Sequence, residues 1–169
     1  INCDDAEQYM VLDMTARRNL ELVQTMRTGE KRGTLLWVLD KTKTAMGKRL
    51  MRSFLDKPLI NPTIINKRLN AVEELYSDLM LRCDLTEQLA GVFDLERLMT
   101  RVIYGSASPR EFKSLEYTCR VLPPLKARLV DCRSQYLQKI QKNIDTLENL
   151  CGLIEVAIVD DPPAALKDG

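Results

Sequence analysis

The sequence predicts an all-α fold, and three observations support this prediction. Two segments place a capping residue before a proline at the first helical position, Asn61-Pro62 and Ser108-Pro109. Apolar residues recur by three and four from Leu137 to Ile158, as they do on one face of a helix. Strand signals are weak, since only Tyr9 to Leu12 resembles a short strand. We expect an irregular helical bundle with a long C-terminal helix and at most a short strand near the N-terminus.

The first part of the chain differs in charge from the rest. Residues 1–14 hold four acids and no base, so we interpret them as an acidic lead-in that includes the short strand. Residues 15–169 carry the helical signals and form the predicted helical domain. Because the chain opens on Ile1 and stops at Gly169 without a capping signal, we expect this domain to be a fragment of a larger protein.

Helices are predicted one after another along this domain. A turn at residues 28–33 precedes a helix from Thr44 to Asp56, whose apolar face is formed by Met46, Leu50, Met51, Phe54 and Leu55. The apolar spacing after Pro62 predicts a second helix as far as Leu79.

Polar and proline signals mark the later helix boundaries. Asp84 and Asp94 are candidate N-caps, and Gly105 is the residue expected to end the helix that follows Asp94. Ser108 and Glu111 have the spacing of a capping box. Pro123-Pro124 predicts an interruption after Leu122.

The most regular pattern predicts one long helix from Ser134 to Val159, roughly 39 Å in length at about 1.5 Å per residue. Its seven seam residues are Leu137, Ile140, Ile144, Leu147, Cys151, Ile154 and Ile158. The prolines after Asp160-Asp161 are expected to end it. Two interpretations stay open, a long helix packed in a bundle and a free two-chain coiled coil.

Composition excludes several functional classes. The 169 residues contain no histidine, which rules out Ser-His-Asp and Cys-His catalysis and histidine-ligated metals. The net charge of +1 indicates neither a nucleic acid nor a membrane as partner. Five scattered cysteines support neither disulfides nor zinc and favour a cytoplasmic location. No run approaches the ~18 apolar residues of a membrane span, so no membrane association is expected.

Positive charge is concentrated between Thr15 and Lys57, which hold eleven bases against four acids. Lys48 and Arg52 lie on the polar face of the predicted Thr44–Asp56 helix. They are interpreted either as a solvated helix face or as weak contacts to a DNA backbone.

The chain contains no recognisable catalytic constellation. Gly47-Lys48 is not part of a phosphate-binding loop, because Thr42 stands where that motif needs glycine and Arg49 where it needs Ser or Thr. The acidic pairs Asp4-Asp5 and Asp160-Asp161 have no second cluster beside them to complete a magnesium site. We therefore predict no catalytic, cofactor-binding or metal-binding residues, and no enzyme activity for this chain alone.

Five blocks in order resemble the DNA mismatch-recognition ATPases of the MutS type. They begin with residues 12–22, which include Arg17, Arg18, Asn19 and Glu21, and continue with residues 33–50, which include Asp40, Thr44, Gly47 and Arg49. Pro58-Leu59, Arg68 and residues 71–75 follow, then a block with Asp94, Glu96, Arg97, Pro109 and Arg110, and finally residues 157–163. The resemblance covers Tyr9 to Gly169, nearly the whole chain.

The resemblance implies a core/lever segment that relays conformational change between a DNA-binding clamp and ATPase domains. It also implies that the residues named in these blocks are mainly structural. The parent would bind ATP and Mg²⁺ elsewhere, act on mismatched double-stranded DNA, dimerise, and work with a MutL-type partner. The alternatives are a helical protein-interaction scaffold, which docks a partner helix on the heptad seam, and a weak nucleic-acid-binding module.

Three local expectations accompany this interpretation. Leu20 and Leu22 should point inward, and a carboxylate, Glu21 or another, or a DNA phosphate should pair with Arg17 or Arg18. Gly47 should mark close packing against a neighbouring helix. If the seam is a stiff lever, Ile144→Pro should uncouple ATP binding from DNA release.

Overall fold

The computed structural model describes residues 8–163, and within them it confirms the all-α prediction. The chain forms nine helices over this range: α1 (Met14–Asn19), α2 (Leu35–Leu39), α3 (Ala45–Asp56), α4 (Pro62–Ser77), α5 (Leu79–Ala90), α6 (Leu95–Ile103), α7 (Pro109–Arg128), α8 (Gln135–Asn143) and α9 (Glu148–Ala157). The short strand is reduced to one antiparallel bridge between Tyr9 and Leu59. Asp4, Asp5 and Glu7 of the acidic lead-in lie outside the described residues.

The chain divides into two compact units, Ile1–Leu69 and Asn70–Gly169. In the first unit α2 packs against α3, and Leu22 and Thr34 are buried. Leu22 therefore points inward as predicted, whereas Leu20 is 57% exposed and its predicted burial is wrong. The turn after α1 explains the difference, because Glu21 adopts a left-handed φ of 46° and sends the two leucines in different directions.

The second unit is organised around α7, which packs against α5, α6 and α9. One apolar cluster contains the buried residues Ala71, Leu129, Cys132 and Leu137. The other contains Leu98, Leu115, Cys119 and Ile154. Since burial of apolar surface is the main driving force for such packing, α7 is the central support of this unit.

The capping signals correctly locate several helix ends. Asn61 Oδ1 accepts a hydrogen bond from the backbone N–H of Thr63 at 2.9 Å where α4 begins. Asp94 Oδ1 accepts one from the backbone N–H of Arg97 at 3.2 Å where α6 begins. Gly105 follows α6 with a φ of 64°, a conformation that L-amino acids disfavour. These signals are local, and the predictions made from them are confirmed.

Two predicted boundaries are wrong because tertiary packing overrides local signals. Pro123 and Pro124 lie inside α7, which continues to Arg128. Cys119, one turn before the prolines, and Leu125, directly after them, are both buried, and this burial compensates the lost backbone donors. Asp84 lies within α5, whose N-cap is Asp78.

The predicted long C-terminal helix is two helices, α8 and α9, separated by residues 144–147. Leu147 has a left-handed φ of 53°, which no continuous α-helix allows. The break is stabilised from outside the two helices, because Lys126 Nζ donates a hydrogen bond to the Ile144 carbonyl at 2.8 Å. Asp145 Oδ1 accepts a second hydrogen bond from the backbone N–H of Leu147 at 2.9 Å.

Six of the seven seam residues nevertheless belong to or pack against the apolar clusters of their own unit, whereas Ile140 is 39% exposed. Leu137 and Ile154 are buried, and Ile144 and Leu147 pack against the two clusters. This arrangement favours packing within a bundle over a two-chain coiled coil or a partner helix docked on the seam. Ile144 is the C-cap residue of α8, so Ile144→Pro would not interrupt a continuous helix. The premise of a continuous lever is therefore wrong, and the effect of this substitution on coupling stays a prediction.

Candidate relay site

In the second unit, the start of α7 holds the chain segment that follows α9. Arg110 Nε donates a hydrogen bond to the carbonyl oxygen of Pro162 at 3.0 Å, and Pro162 is buried. The two residues are 52 positions apart in sequence. The structure therefore joins two of the family-like blocks, the one that contains Pro109 and Arg110 and the one that ends in Pro162-Pro163.

One turn further along α7, Lys113 makes a second connection to the same segment. Its Nζ lies 3.1 Å from Asp160 Oδ1 and 2.6 Å from Glu116 Oε2. Hydrogen bonding to Glu116, with a smaller contribution from Asp160, holds the pKa of Lys113 above its ordinary value. The ammonium group therefore stays charged and links α7 to the chain after α9.

Arg120 makes the third connection, from α7 to α9 itself. Its Nη2 lies 2.6 Å from Glu116 Oε1 and 3.1 Å from Glu155 Oε1. The charge of Glu116 raises the pKa of Arg120, with a smaller contribution from Glu155. The side chain of Glu116 is only 5% exposed, and a carboxylate buried to this extent needs compensating cations. Lys113 and Arg120 supply them from opposite sides.

The N-terminus of α7 is fixed to the end of α6 in the same unit. Glu111 closes the predicted capping box with Ser108, and its Oε1 lies 2.7 Å from Arg101 Nη1. The backbone N–H of Ser108 is the main cause of a lowered pKa at Glu111, while Arg101 and Arg97 contribute more weakly. The capping-box prediction is confirmed, and the structure adds the ion pair to Arg101.

Apolar packing supports these polar connections. Leu147, Cys151 and Ile158 of the predicted seam, together with Leu150, lie against the cluster around Leu115 and Cys119. Burial raises the pKa of the Cys119 thiol, so this cysteine is protonated and acts as a small apolar residue.

In the first unit, Arg17 holds the approach to α1 against the end of α3. Its Nε donates to the Leu12 carbonyl at 3.1 Å, its Nη2 donates to the Asp56 carbonyl at 2.8 Å, and its Nη1 lies 3.3 Å from Asp56 Oδ1. The expectation that a carboxylate pairs with one of the two arginines is confirmed, with Asp56 as the partner. Glu21 instead accepts a hydrogen bond from the Met26 backbone N–H at 2.7 Å.

Other residues of the five resembling sequence blocks lie in the first unit, where they cap α3 or pack against it. Thr44 Oγ1 caps α3 by accepting from the Gly47 backbone N–H at 2.9 Å. A Cβ at Gly47 would lie 2.9 Å from this same oxygen, so the glycine lies close to the cap of its own helix. The predicted close packing against a neighbouring helix is wrong. The guanidinium carbon of Arg68 lies 4.0 Å from the ring centroid of Phe54.

Asp40 closes the loop before α3. Hydrogen bonding from Thr42 is the largest cause of its lowered pKa, and Lys48 contributes further. The candidate DNA-backbone contacts Lys48 and Arg52 are both exposed. Lys48 Nζ lies 3.5 Å from Asp40 Oδ2, and Arg52 Nε lies 3.7 Å from Asp56 Oδ2. Four other family-like residues, Arg18, Asn19, Arg49 and Glu96, lie on exposed helix surfaces.

The sequence analysis missed the charge network of α7 and α9. Lys113, Glu116 and Arg120 have the i, i+3 and i+4 spacing that lets side chains meet on one helix face. That spacing could have indicated a network on α7. Only the fold shows that Glu155 and Asp160 complete it.

Among residues 8–163 there is no group of three or more Cys, Asp or Glu that could hold a metal ion. Gly47 and Lys48 lie in the first turn of α3, and no glycine-rich phosphate loop precedes them. In the same range, no helix combines the length and apolar character needed to cross a membrane.

The described residues of both units form helices, which defines an all-α class of protein. A family model described as MutS domain III matches residues 15–169. The chain is 46% identical over its full length to the DNA mismatch repair protein MutS of Alkaliphilus oremlandii, of which it covers 19%. It is 46% identical over 96% of its length to MutS of Ruminiclostridium cellulolyticum, of which it covers 19%. It is 47% identical over 95% of its length to MutS of Symbiobacterium thermophilum, of which it covers 18%.

The chain belongs to the MutS domain III family. It spans about one fifth of the length of the curated relatives it matches. The resemblance proposed from the five sequence blocks is confirmed.

Proposed function

We propose that this chain is the core/lever segment of a longer DNA mismatch-repair protein and relays conformational change between a DNA-binding clamp and ATPase domains. The observation that supports the relay is the threefold connection between α7 and the α9 region. Arg110 contacts Pro162, Lys113 contacts Asp160, and Arg120 contacts Glu155.

The physical argument concerns stiffness. A chain segment can transmit a displacement to a helix only if the segment and the helix are rigidly connected and move together. The three contacts fix the end of α9 and the residues after it to α7, while the apolar cluster fixes the body of α9. An exposed ion pair alone contributes little, but buried Glu116 joins two of these contacts into one network. A force on the chain after Pro162 therefore acts on α7.

The proposal includes the properties that the family resemblance implies for the whole protein. The parent binds mismatched double-stranded DNA, hydrolyses ATP with Mg²⁺ in another domain, forms a dimer, and works with a MutL-type partner in the cytoplasm. This chain itself performs no catalytic step. Its contribution is mechanical coupling between the other domains.

The test uses the full-length protein that carries this chain, with the double substitution Arg110→Ala and Lys113→Ala. Three quantities are measured: affinity for a mismatched duplex without nucleotide, steady-state ATP hydrolysis without DNA, and the rate of ATP-triggered release from that duplex. We expect the first two to stay within twofold of wild type. The release rate should fall at least fivefold, because the exit segment is no longer fixed to α7.

A matched control is Lys139→Ala, which removes an exposed cation of α8 outside this network. It should leave all three quantities unchanged. Release at the wild-type rate from the double variant would contradict the relay. A parallel loss of DNA binding and ATP hydrolysis would assign the two residues to folding stability instead.

A further inference from the structure

A pocket of about 480 Å³ opens in the first unit beside Trp37, the single tryptophan of the chain. Five basic residues line it: Lys31, Lys41, Lys48, Arg49 and Arg52. Val23 and Leu36 add apolar surface to the same pocket. The combination of clustered positive charge and apolar surface is not explained by the relay proposed above.

The positive charge of the pocket is only partly neutralised. Lys48 lies 3.5 Å from Asp40, the one acidic residue among those lining the pocket, and Arg52 lies 3.7 Å from Asp56, which is outside the lining. Within residues 8–163 no carboxylate forms an ion pair with Lys31 or Lys41. The excess charge favours an anionic occupant.

Trp37 gives the pocket a second recognition feature. Its side chain is 50% exposed, although burying a large aromatic ring is strongly favourable. The guanidinium carbon of Arg32 lies 6.0 Å from the ring centroid and adds to the positive charge around the indole. Tryptophan and arginine are the residue types most often found where a few side chains dominate binding between proteins.

These features favour an acidic polypeptide over a nucleic acid. The phosphates of a duplex lie on a convex, hydrated surface, so they cannot fill a concave pocket or cover Val23, Leu36 and Trp37. A peptide can place carboxylates on the lysines and an apolar side chain against the indole.

We propose that this pocket docks an acidic segment of a partner protein. One large apolar side chain of that segment inserts beside Trp37, and carboxylates that flank it pair with Lys31 and Lys41. The relay function neither requires nor implies this docking site, so each proposal is tested separately.

The test measures binding of a fluorescein-labelled peptide, Asp-Glu-Asp-Leu-Trp-Asp-Glu-Asp, to the full-length protein by fluorescence anisotropy. A second peptide replaces each acid by its amide. The protein variants are Trp37→Ala and the double charge reversal Lys31→Glu with Lys41→Glu. The control is Lys67→Glu with Lys139→Glu, which reverses two exposed charges outside the pocket.

We expect the acidic peptide to bind at least tenfold more tightly than the amide peptide. Its affinity should fall as the salt concentration rises, because salt screens the attraction between carboxylates and lysines. Trp37→Ala and the pocket double variant should each raise Kd at least tenfold. The control variant should stay within twofold of wild type.

Three results would overturn the proposal. The first is equal loss of binding in the control and pocket variants, which would indicate attraction by net charge only. The second is tighter binding of a duplex DNA of matched charge, with loss of that binding in the pocket variants, which would indicate a nucleic-acid surface. The third is the absence of peptide binding to the wild-type protein, as follows if another part of the same polypeptide fills the pocket.

Discussion

Replacing Gly47 by alanine tests how the entry to α3 is built. A Cβ at this position would lie 2.9 Å from Thr44 Oγ1 and 3.4 Å from Thr42 Cβ. Thr44 Oγ1 is also the atom that caps α3, since it accepts the hydrogen bond from the Gly47 backbone N–H at 2.9 Å. The threonine side chain therefore cannot rotate away from an added methyl group without losing the cap.

Two effects of similar size oppose each other in Gly47→Ala. Alanine is favoured over glycine in a helix by about 1 kcal/mol. Loss of a threonine cap costs about 1 kcal/mol, within a range of about 0.5–2 kcal/mol. In the wild-type background we therefore expect a change in the free energy of unfolding between about 0.5 kcal/mol of stabilisation and about 1 kcal/mol of destabilisation.

Gly47→Ala should become stabilising once the oxygen is removed. In a Thr44→Ala background the cap is already lost and its oxygen no longer meets the new methyl group. Gly47→Ala should then stabilise the chain by up to about 1 kcal/mol. The two substitutions should show a coupling energy of about 1 kcal/mol, as expected of side chains in direct contact.

The assay is urea unfolding of the wild type, the two single variants and the double variant, followed by far-UV circular dichroism. Equal m-values are required before the free energies are compared. If Gly47→Ala stabilised both backgrounds equally, with coupling below about 0.3 kcal/mol, the steric argument would be refuted. The glycine would then have no structural role at the cap.

Three further predictions rest on single contacts of the second unit. The pKa of Glu111 lies below its ordinary value of 4.5, mainly because the carboxylate accepts a hydrogen bond from the backbone N–H of Ser108. The charged carboxylate therefore stabilises the folded protein fully above about pH 4.5, and this stabilisation is lost as the pH falls. The stability difference between wild type and Glu111→Gln should therefore shrink below about pH 4.5 in pH-dependent urea unfolding, and a constant difference would contradict this. Glu74 accepts the backbone N–H groups at the start of α8, one of them from Ser134 at 2.8 Å, so Glu74→Ala should cost about 1–2 kcal/mol in thermal unfolding. Gly105→Ala should destabilise the protein by about 1 kcal/mol, because the φ of Gly105 is 64°. Gly152 lies within α9 with no atom within 4 Å of an added Cβ, so Gly152→Ala should stabilise the protein by up to about 1 kcal/mol. Changes of the same sign in both variants would refute the backbone argument.

The family-like residues divide by how far their contacts reach along the chain. Thr44 and Asp94 act within one helical turn, so the sequence indicates where their helices begin. Arg17 was expected to find a carboxylate, but only the fold identifies Asp56, 39 positions away. The reach of Arg110 to Pro162 has no local signal at all.

The errors have the same origin. Pro123-Pro124 is a strong local stop signal, yet α7 runs through it because residues on both sides of the prolines are buried. The regular seam predicts one helix, yet Lys126 and Asp145 stabilise a break that the seam does not reveal. In each case the local preference is worth a few kcal/mol at most, and contacts distant in sequence exceed it.

The sequence by itself determined the helical class, most helix starts, the concentration of bases before Lys57 and the family. These features depend on side-chain periodicity and capping, which act over three or four residues. Tertiary structure alone decided that α8 and α9 are separate, that Glu116 is buried between Lys113 and Arg120, and that Trp37 lies beside a basic pocket. Those outcomes depend on which distant surfaces are buried together, and burial is a property of the whole folded unit.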